Sequence, residues 1–496
     1  MADPTNAFLQ TTYHSLRRAV TARDSTTPIL PETSSLDKAR ASLPTTLPPT
    51  GIGPEATLSH ILSDIVPALN SASLSSRYFG FVTGGSLPAA EAADNVVSAL
   101  DQNVQVHLPD DAVATDVEDS ALRLLVDLLG LGTAEDWPGR TFTTGATGSN
   151  VLGLACGREA VVGNRLAGTG VTVAKAGLLG ACRAAGVERI QVLTSGGHSS
   201  LLKAASVVGI GHDGVKELPL SKEEPWRLDL DAVERELTGD GGVVSIICVS
   251  AGEVNTGRYA TNALDMPKLR SLADKYGAWI HVDGAFGIFA RVLPGSEDFL
   301  TLRAQTAGLE LADSVTVDGH KILNVPYDTG VFFCRHPTIN AQVFGNPNAA
   351  YLASGKTARI QSPLNIGLEN SRRFRALPVY AALLSEGRTG MAQMVARMVG
   401  LARRIAEFVR DSPDYDWLPD ASASLESVFI IVLFRARDKT VNEELVQRIN
   451  ASGRMYVSGT AWNGEKAVRL AVSNWRVDVE RDFAEVQSVL ESVVKA

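Results

Sequence analysis

Apolar residues fall into two kinds of run that alternate along the middle of the chain. Between about 85 and 340, short β-rich blocks are followed by longer Ala/Leu-rich blocks with helical spacing. Blocks at 189–193, 242–249, 278–282, 314–317 and 330–334 predict strands, and those at 122–129, 150–167, 173–185, 230–237 and 266–276 predict helices. Such alternation points to an α/β layer with a mainly parallel sheet. Beyond about 375 the pattern changes to long helical stretches at 376–384 and 391–410, strands at 427–434 and 467–472, and a closing helix at 479–494. That predicts a smaller α+β domain. At the other end, 7–23 and 58–69 carry helical spacing, and 24–54 is a polar connector punctuated by proline. The expected division is an N-terminal helical segment over 1–85, a large α/β domain over 86–375 and a small C-terminal domain over 376–496.

Composition narrows the class without changing this outline. With 45% hydrophobic and 20% charged residues, the chain is not disordered overall. A net charge of −9 and the lack of a dense Lys/Arg run disfavour a nucleic-acid-binding surface. Cys156, Cys182, Cys248 and Cys334 are scattered and form no CxxC pair, which disfavours a zinc ribbon or redox dithiol. They read as small buried hydrophobes in a reduced, cytoplasmic setting. Neither a secretory signal nor an apolar run long enough to span a membrane is expected.

Four local features carry candidate chemistry. The run Thr143-Thr144-Gly145-Ala146-Thr147-Gly148-Ser149-Asn150 leads into a helix, so small residues would let backbone N–H groups approach an anion at a positive helix end. Its spacing fits neither GxGxxG nor a P-loop, and alone it is as readily a helix cap after a turn. His198 follows a strand in Gly196-Gly197-His198-Ser199-Ser200, placed to stack on a planar ligand or simply to cap a helix. Asp283 ends the apolar run Trp279-Ile280-His281-Val282-Asp283. A buried carboxylate there needs a partner, either a structural one or a protonated ring nitrogen, and small Ala285 leaves room for a flat ring. Lys321 follows His320 after another strand and precedes the nearly uncharged Ile322-Leu323-Asn324-Val325-Pro326. A lysine in such a setting can serve as a nucleophile.

In this order, the features resemble the group II amino-acid decarboxylases, a branch of the fold-type I, aspartate aminotransferase-like enzymes that use pyridoxal phosphate. The similarity covers about 76–496. It is carried by Arg77-Tyr78-Phe79-Gly80-Phe81-Val82-Thr83-Gly84-Gly85, by 144–150, by His198-Ser199-Ser200 and by His281-Val282-Asp283-Gly284-Ala285. Further on it is carried by Asp318-Gly319-His320-Lys321, by Ser371-Arg372-Arg373-Phe374-Arg375 and by Val468-Arg469-Leu470-Ala471-Val472-Ser473-Asn474. The resemblance implies a seven-stranded, mostly parallel mixed sheet and a homodimer with active sites at the subunit interface. It implies a Schiff base on Lys321, Asp283 at the pyridine nitrogen and His198 stacked on the ring. Gly145, Ala146, Thr147, Ala285 and His320 would complete the cofactor site, and Tyr78, Phe79, Phe81 and Thr83 would line the substrate pocket. The expected reaction is decarboxylation of an L-amino acid to the amine and CO₂, with no metal.

Two departures stand out. The region 352–370, where relatives offer a proton-donating tyrosine, contains none. Tyr351 and Tyr327 remain as candidates, and other outcomes on the same scaffold (oxidative deamination, Cα–Cβ cleavage, transamination, or a non-catalytic fold) stay open. Asp318 stands where many relatives carry Asn, and it is expected to turn away from the phosphate.

Overall fold

In the computed structural model, described over residues 4–23, 28–346, 360–419 and 423–495, two sheets frame the molecule. The larger has seven strands in the spatial order Gly139–Thr143, Gly330–Cys334, Ser314–Asp318, Trp279–Asp283, Val243–Ser250, Arg189–Thr194, Val215–Glu217. All neighbours pair in parallel except Gly330–Cys334, which is antiparallel to both strands beside it. Ser314–Asp318 and Gly330–Cys334 are buried at every residue. Helices cover both faces of such a sheet, so its inner strands read as continuous apolar runs rather than alternating ones. The helix Ala146–Gly163 packs against five of these strands.

The smaller sheet runs Tyr78–Phe79, Tyr456–Trp462, Glu465–Ala471, Ile431–Ala436, Tyr415–Leu418. Its first strand comes from the N-terminal part of the chain and pairs in parallel with Tyr456–Trp462. A third, two-stranded ladder joins Arg372–Arg373 to Asn103–Val104. There Arg372 forms a fully buried two-pronged pair with Glu118, with Nη1 at 2.9 Å from Oε2. Two parallel bonds satisfy both charges, which is what makes burial of such a pair tolerable.

Several elements differ from the expectation. The connector 24–54 contains a helix, Thr33–Ser42, in which only Ala39 is buried, so no apolar stripe marks it. The expected helix at 58–69 is instead an α-helix, Pro54–His60, followed by a π turn over Ile61–Ile65 and a 3₁₀ turn over Val66–Ala68. Pro67 has no N–H to continue the ladder. The two helical stretches after 375 are one run, Ala376–Asp411, interrupted at Gly387, whose φ of 57° is left-handed. The strand expected at 427–434 begins only at Ile431, after a 3₁₀ turn over Leu425–Ser427.

Candidate active site

Lys321, Asp283, His198 and the loop Thr144–Gly148 line one cavity of about 790 Å³. Topology brings them together. Strands 139–143, 189–194, 279–283 and 314–318 are parallel, so the residues that follow them emerge at one edge of the sheet, the edge at which open α/β sheets hold ligands. The helix Ala146–Gly163 starts at this edge and turns its first N–H groups toward the opening.

Lys321 Nζ lies 2.8 Å from Asp318 Oδ2 and 5.9 Å from the centre of the Phe286 ring. Its backbone is crossed by the N-terminal segment. A Cβ at Gly84 would sit 2.1 Å from the Lys321 carbonyl oxygen, so only glycine admits that approach. Asp318 does not turn away, contrary to the expectation from sequence. Its Oδ1 accepts the Ala146 N–H at 2.6 Å while Oδ2 pairs with the lysine. Two donors, one from the helix N-terminus and one from the ammonium, compensate the charge of this buried carboxylate.

Asp283 Oδ2 accepts a hydrogen bond from Asn150 Nδ2 at 2.8 Å, and Oδ1 accepts one from the Ala285 N–H at 3.3 Å. His198 Nδ1 accepts from Ser200, and burial pushes the imidazole below its ordinary value, so the ring is neutral at neutral pH. His320 stacks on Tyr327 with ring centres 4.3 Å apart and accepts the Thr329 N–H on Nδ1 at 3.1 Å. Burial raises the Tyr327 phenol, so it holds its proton.

The smaller sheet closes the other side of the cavity through Ser458, Gly459, Thr460 and Arg469. Arg469 is lowered to about 10 by burial and remains a cation at neutral pH. It donates to the Phe81 carbonyl at 2.5 Å and to the Val254 carbonyl.

Of the residues expected to face substrate, Phe81 and Thr83 line the cavity and Tyr78 and Phe79 do not. Tyr78 stacks on Tyr456 with centres 4.7 Å apart, and Phe79 is wholly buried in the main core. The alternation of a strand sends neighbouring side chains to opposite faces, and the two-residue strand here spends both on packing. Tyr351 lies outside the described residues; Tyr327 lines the cavity. Asn150, Ser200, Asn255, Thr460 and Arg469 were not singled out from sequence. Asn150 and Ser200 close the runs 143–150 and 198–200, and Arg469 sits inside the run 468–474. Asn255 and Thr460, which hydrogen bond to each other at 2.7 Å, carry no local signal.

Comparison with known proteins agrees with the geometry. The family described as "Pyridoxal-dependent decarboxylase conserved domain" matches residues 55–436. Tryptophan decarboxylase 1 of Oryza sativa subsp. japonica is 25% identical over 471 residues, covering 90% of this chain and 85% of that protein. L-2,4-diaminobutyrate decarboxylase of Acinetobacter baumannii is 28% identical over 318 residues, 62% of this chain and 58% of that one. A crystal structure of Oryza sativa TDC with PLP and tryptamine superposes with a TM-score of 0.81 at 20% identity, covering 100% of this chain and 98% of the other. The cavity suits pyridoxal phosphate: it presents an amine, a carboxylate, an imidazole and a helix N-terminus to a single ligand. The match extends over most of the chain, and the chain belongs to the pyridoxal-dependent decarboxylase family.

Proposed function

We propose that the cavity binds pyridoxal phosphate through Lys321 and that the protein releases the α-carboxylate of an L-amino acid as CO₂, leaving the amine. One observation carries this reading. Lys321, in the turn after the strand Ser314–Asp318, and Asp283, at the end of its parallel neighbour, share a cavity with His198 and the N-terminus of Ala146–Gly163. When bound, the cofactor supplies an electron sink for the bond that breaks.

The chain's own residues do the rest. Gly145, Ala146 and Thr147 offer the helix N-terminus to the phosphate. Asp283 would meet the ring nitrogen, Ala285 would leave the ring its space, and His198 would wall one face. Asp318 and His320 hold the lysine segment, the former through the 2.8 Å contact with Nζ. Arg469 provides a fixed positive charge that draws a carboxylate inward. Phe81, Val82, Val254 and Phe286 give the substrate side an apolar lining, which suits an apolar or aromatic side chain. Tyr327 is the tyrosine among the described cavity residues, and its protonated Oη can return a proton to Cα.

Four free cysteines fit a cytoplasmic location, and no described helix is long and apolar enough to cross a membrane. A homodimer is supported by the exposed stripe Leu9, Tyr13 and Leu16 along the helix Pro4–Thr21.

Purified protein supplied with pyridoxal phosphate should turn yellow and release CO₂ and amine from one member of an amino-acid panel read by mass spectrometry. Lys321→Ala should abolish both colour and turnover. A wild-type preparation that stays colourless would end this reading. The lack of a tyrosine over 352–370 favours one second reading, oxidative deamination. Oxygen uptake with aldehyde and no amine would select it.

A further inference from the structure

The polar side chains behind the cavity floor form one hydrogen-bond chain, and its direction can be read from its ends. At the far end the Trp279 indole can only donate, and its Nε1 gives to Ser314 Oγ at 2.9 Å. The Ser314 hydroxyl hydrogen is then free for His281 Nδ1, 2.8 Å away. Burial lowers His281 to about 4, so the ring is neutral and carries its one hydrogen on Nε2. That nitrogen faces Asn150 Oδ1 at 3.0 Å.

Asn150 Nδ2 therefore points the other way, and its two hydrogens have two acceptors: Asp283 Oδ2 at 2.8 Å and Ser200 Oγ at 3.2 Å. Ser200 in turn passes its hydroxyl hydrogen to His198 Nδ1 at 2.8 Å, and its N–H reaches the same atom at 3.1 Å. With Nδ1 accepting twice, His198 carries its own hydrogen on Nε2. The near end fixes this assignment, because a carboxylate can only accept and so demands the Nδ2 side of the amide, which leaves Oδ1 to accept from His281 Nε2.

Packing fixes the hub as well. Asn150 and His281 are both wholly buried. The His281 ring nests against Gly153, one turn beyond Asn150, where a Cβ would stand 2.3 Å from His281 Cε1.

We infer that Asn150 is a positioning residue: its carboxamide, oriented by His281, donates to Asp283 and to Ser200 together, so that the carboxylate and, through the Ser200 hydroxyl, the His198 ring meet a bound pyridoxal ring as matched partners. This rests on the reading of the cavity as the cofactor site.

The test uses the full chain and two probes, pyridoxal phosphate and its deaza analogue, in which the ring nitrogen is replaced by carbon. Both can react with the lysine, but only the first offers a nitrogen to Asp283. Wild type should prefer pyridoxal phosphate. Asn150→Leu should lose that preference by roughly tenfold or more, with the analogue's affinity falling no further than it does in Ser200→Ala and the far-ultraviolet circular dichroism unchanged. Equal weakening of both probes would mean that Asn150 only packs, and would overturn the inference. Asn150→Asp keeps the shape but replaces both N–H donors, so it carries the test if the leucine variant does not fold; a wild-type preference there would overturn the inference too. Ser200→Ala cuts only the His198 arm and should keep the preference, and its loss would refute the two-armed arrangement. A wild type that binds both probes equally would refute the role given to Asp283, and this inference with it.

Discussion

Individual side chains set the chemistry, and three expectations belong at this scale. Asp283→Ala should cut turnover at least about a hundredfold, because in the proposed reading it removes the carboxylate that meets the ring nitrogen; steady-state kinetics with the accepted amino acid will check it. Tyr327→Phe should slow amine formation by about a hundredfold with little change in KM, since a general acid contributes at least that much. An unchanged rate would leave the proton source elsewhere. His281 ties stability to pH. Burial lowers it from 6.5 to about 4. Between those values the unfolded chain binds the proton and the folded chain does not, so stability falls as pH drops from about 6.5 toward 4. The contribution is on the order of 3 kcal/mol. Urea titrations of wild type and His281→Gln should show a shallower pH slope in the variant. Much at this scale was legible in sequence, because each of Asp283, His198 and Lys321 follows a strand-like run. Asp318 was misjudged because nothing in sequence shows that its neighbour in space is the first N–H of a helix starting at Ala146.

Elements place those side chains, and the apolar pattern marks them unevenly. Helices Val173–Ala185 and Leu230–Leu237 and the strand Gly330–Cys334 lie where the apolar pattern put them. The strand Gly139–Thr143 was missed because it sits at the edge of the sheet and mixes glycine, arginine and threonine. Tyr456–Trp462 was missed although the turn Asn463-Gly464 after it is a strong hairpin signal, with φ of 52° and 79°. Its side chains are half exposed, so no apolar run announced it. The helix Ala146–Gly163 shows how an element bends to its site. Glycine within a helix costs about 1 kcal/mol relative to alanine, yet Gly153 gives His281 its seat. Gly153→Ala should therefore destabilise the fold by about 1–3 kcal/mol through overpacking, despite the better helix former. A raised melting temperature would contradict that.

At the scale of the whole molecule, the cavity exists only because two sheets meet. The large sheet brings Lys321, Asp283 and His198, and the small one brings Ser458, Thr460 and Arg469. The segment Tyr78–Phe79 ties the N-terminal part of the chain to the small sheet, which carries Phe81 and Thr83 to the mouth of the cavity. If Leu9, Tyr13 and Leu16 cover a second copy, Leu9→Glu with Tyr13→Glu should shift the protein from dimer to monomer in sedimentation velocity. A variant that sediments as wild type would place the contact on another face. The amino-acid sequence by itself determined the alternation of strands and helices, the order of the reactive residues and the family, because burial pattern and motif spacing are local properties. Only the tertiary structure decided which residues share the cavity, that Asp318 faces Lys321, and that Asn150 links Asp283 to His198, because hydrogen bonds between residues as far apart as Asn150 and Asp283 depend on where separate strands end.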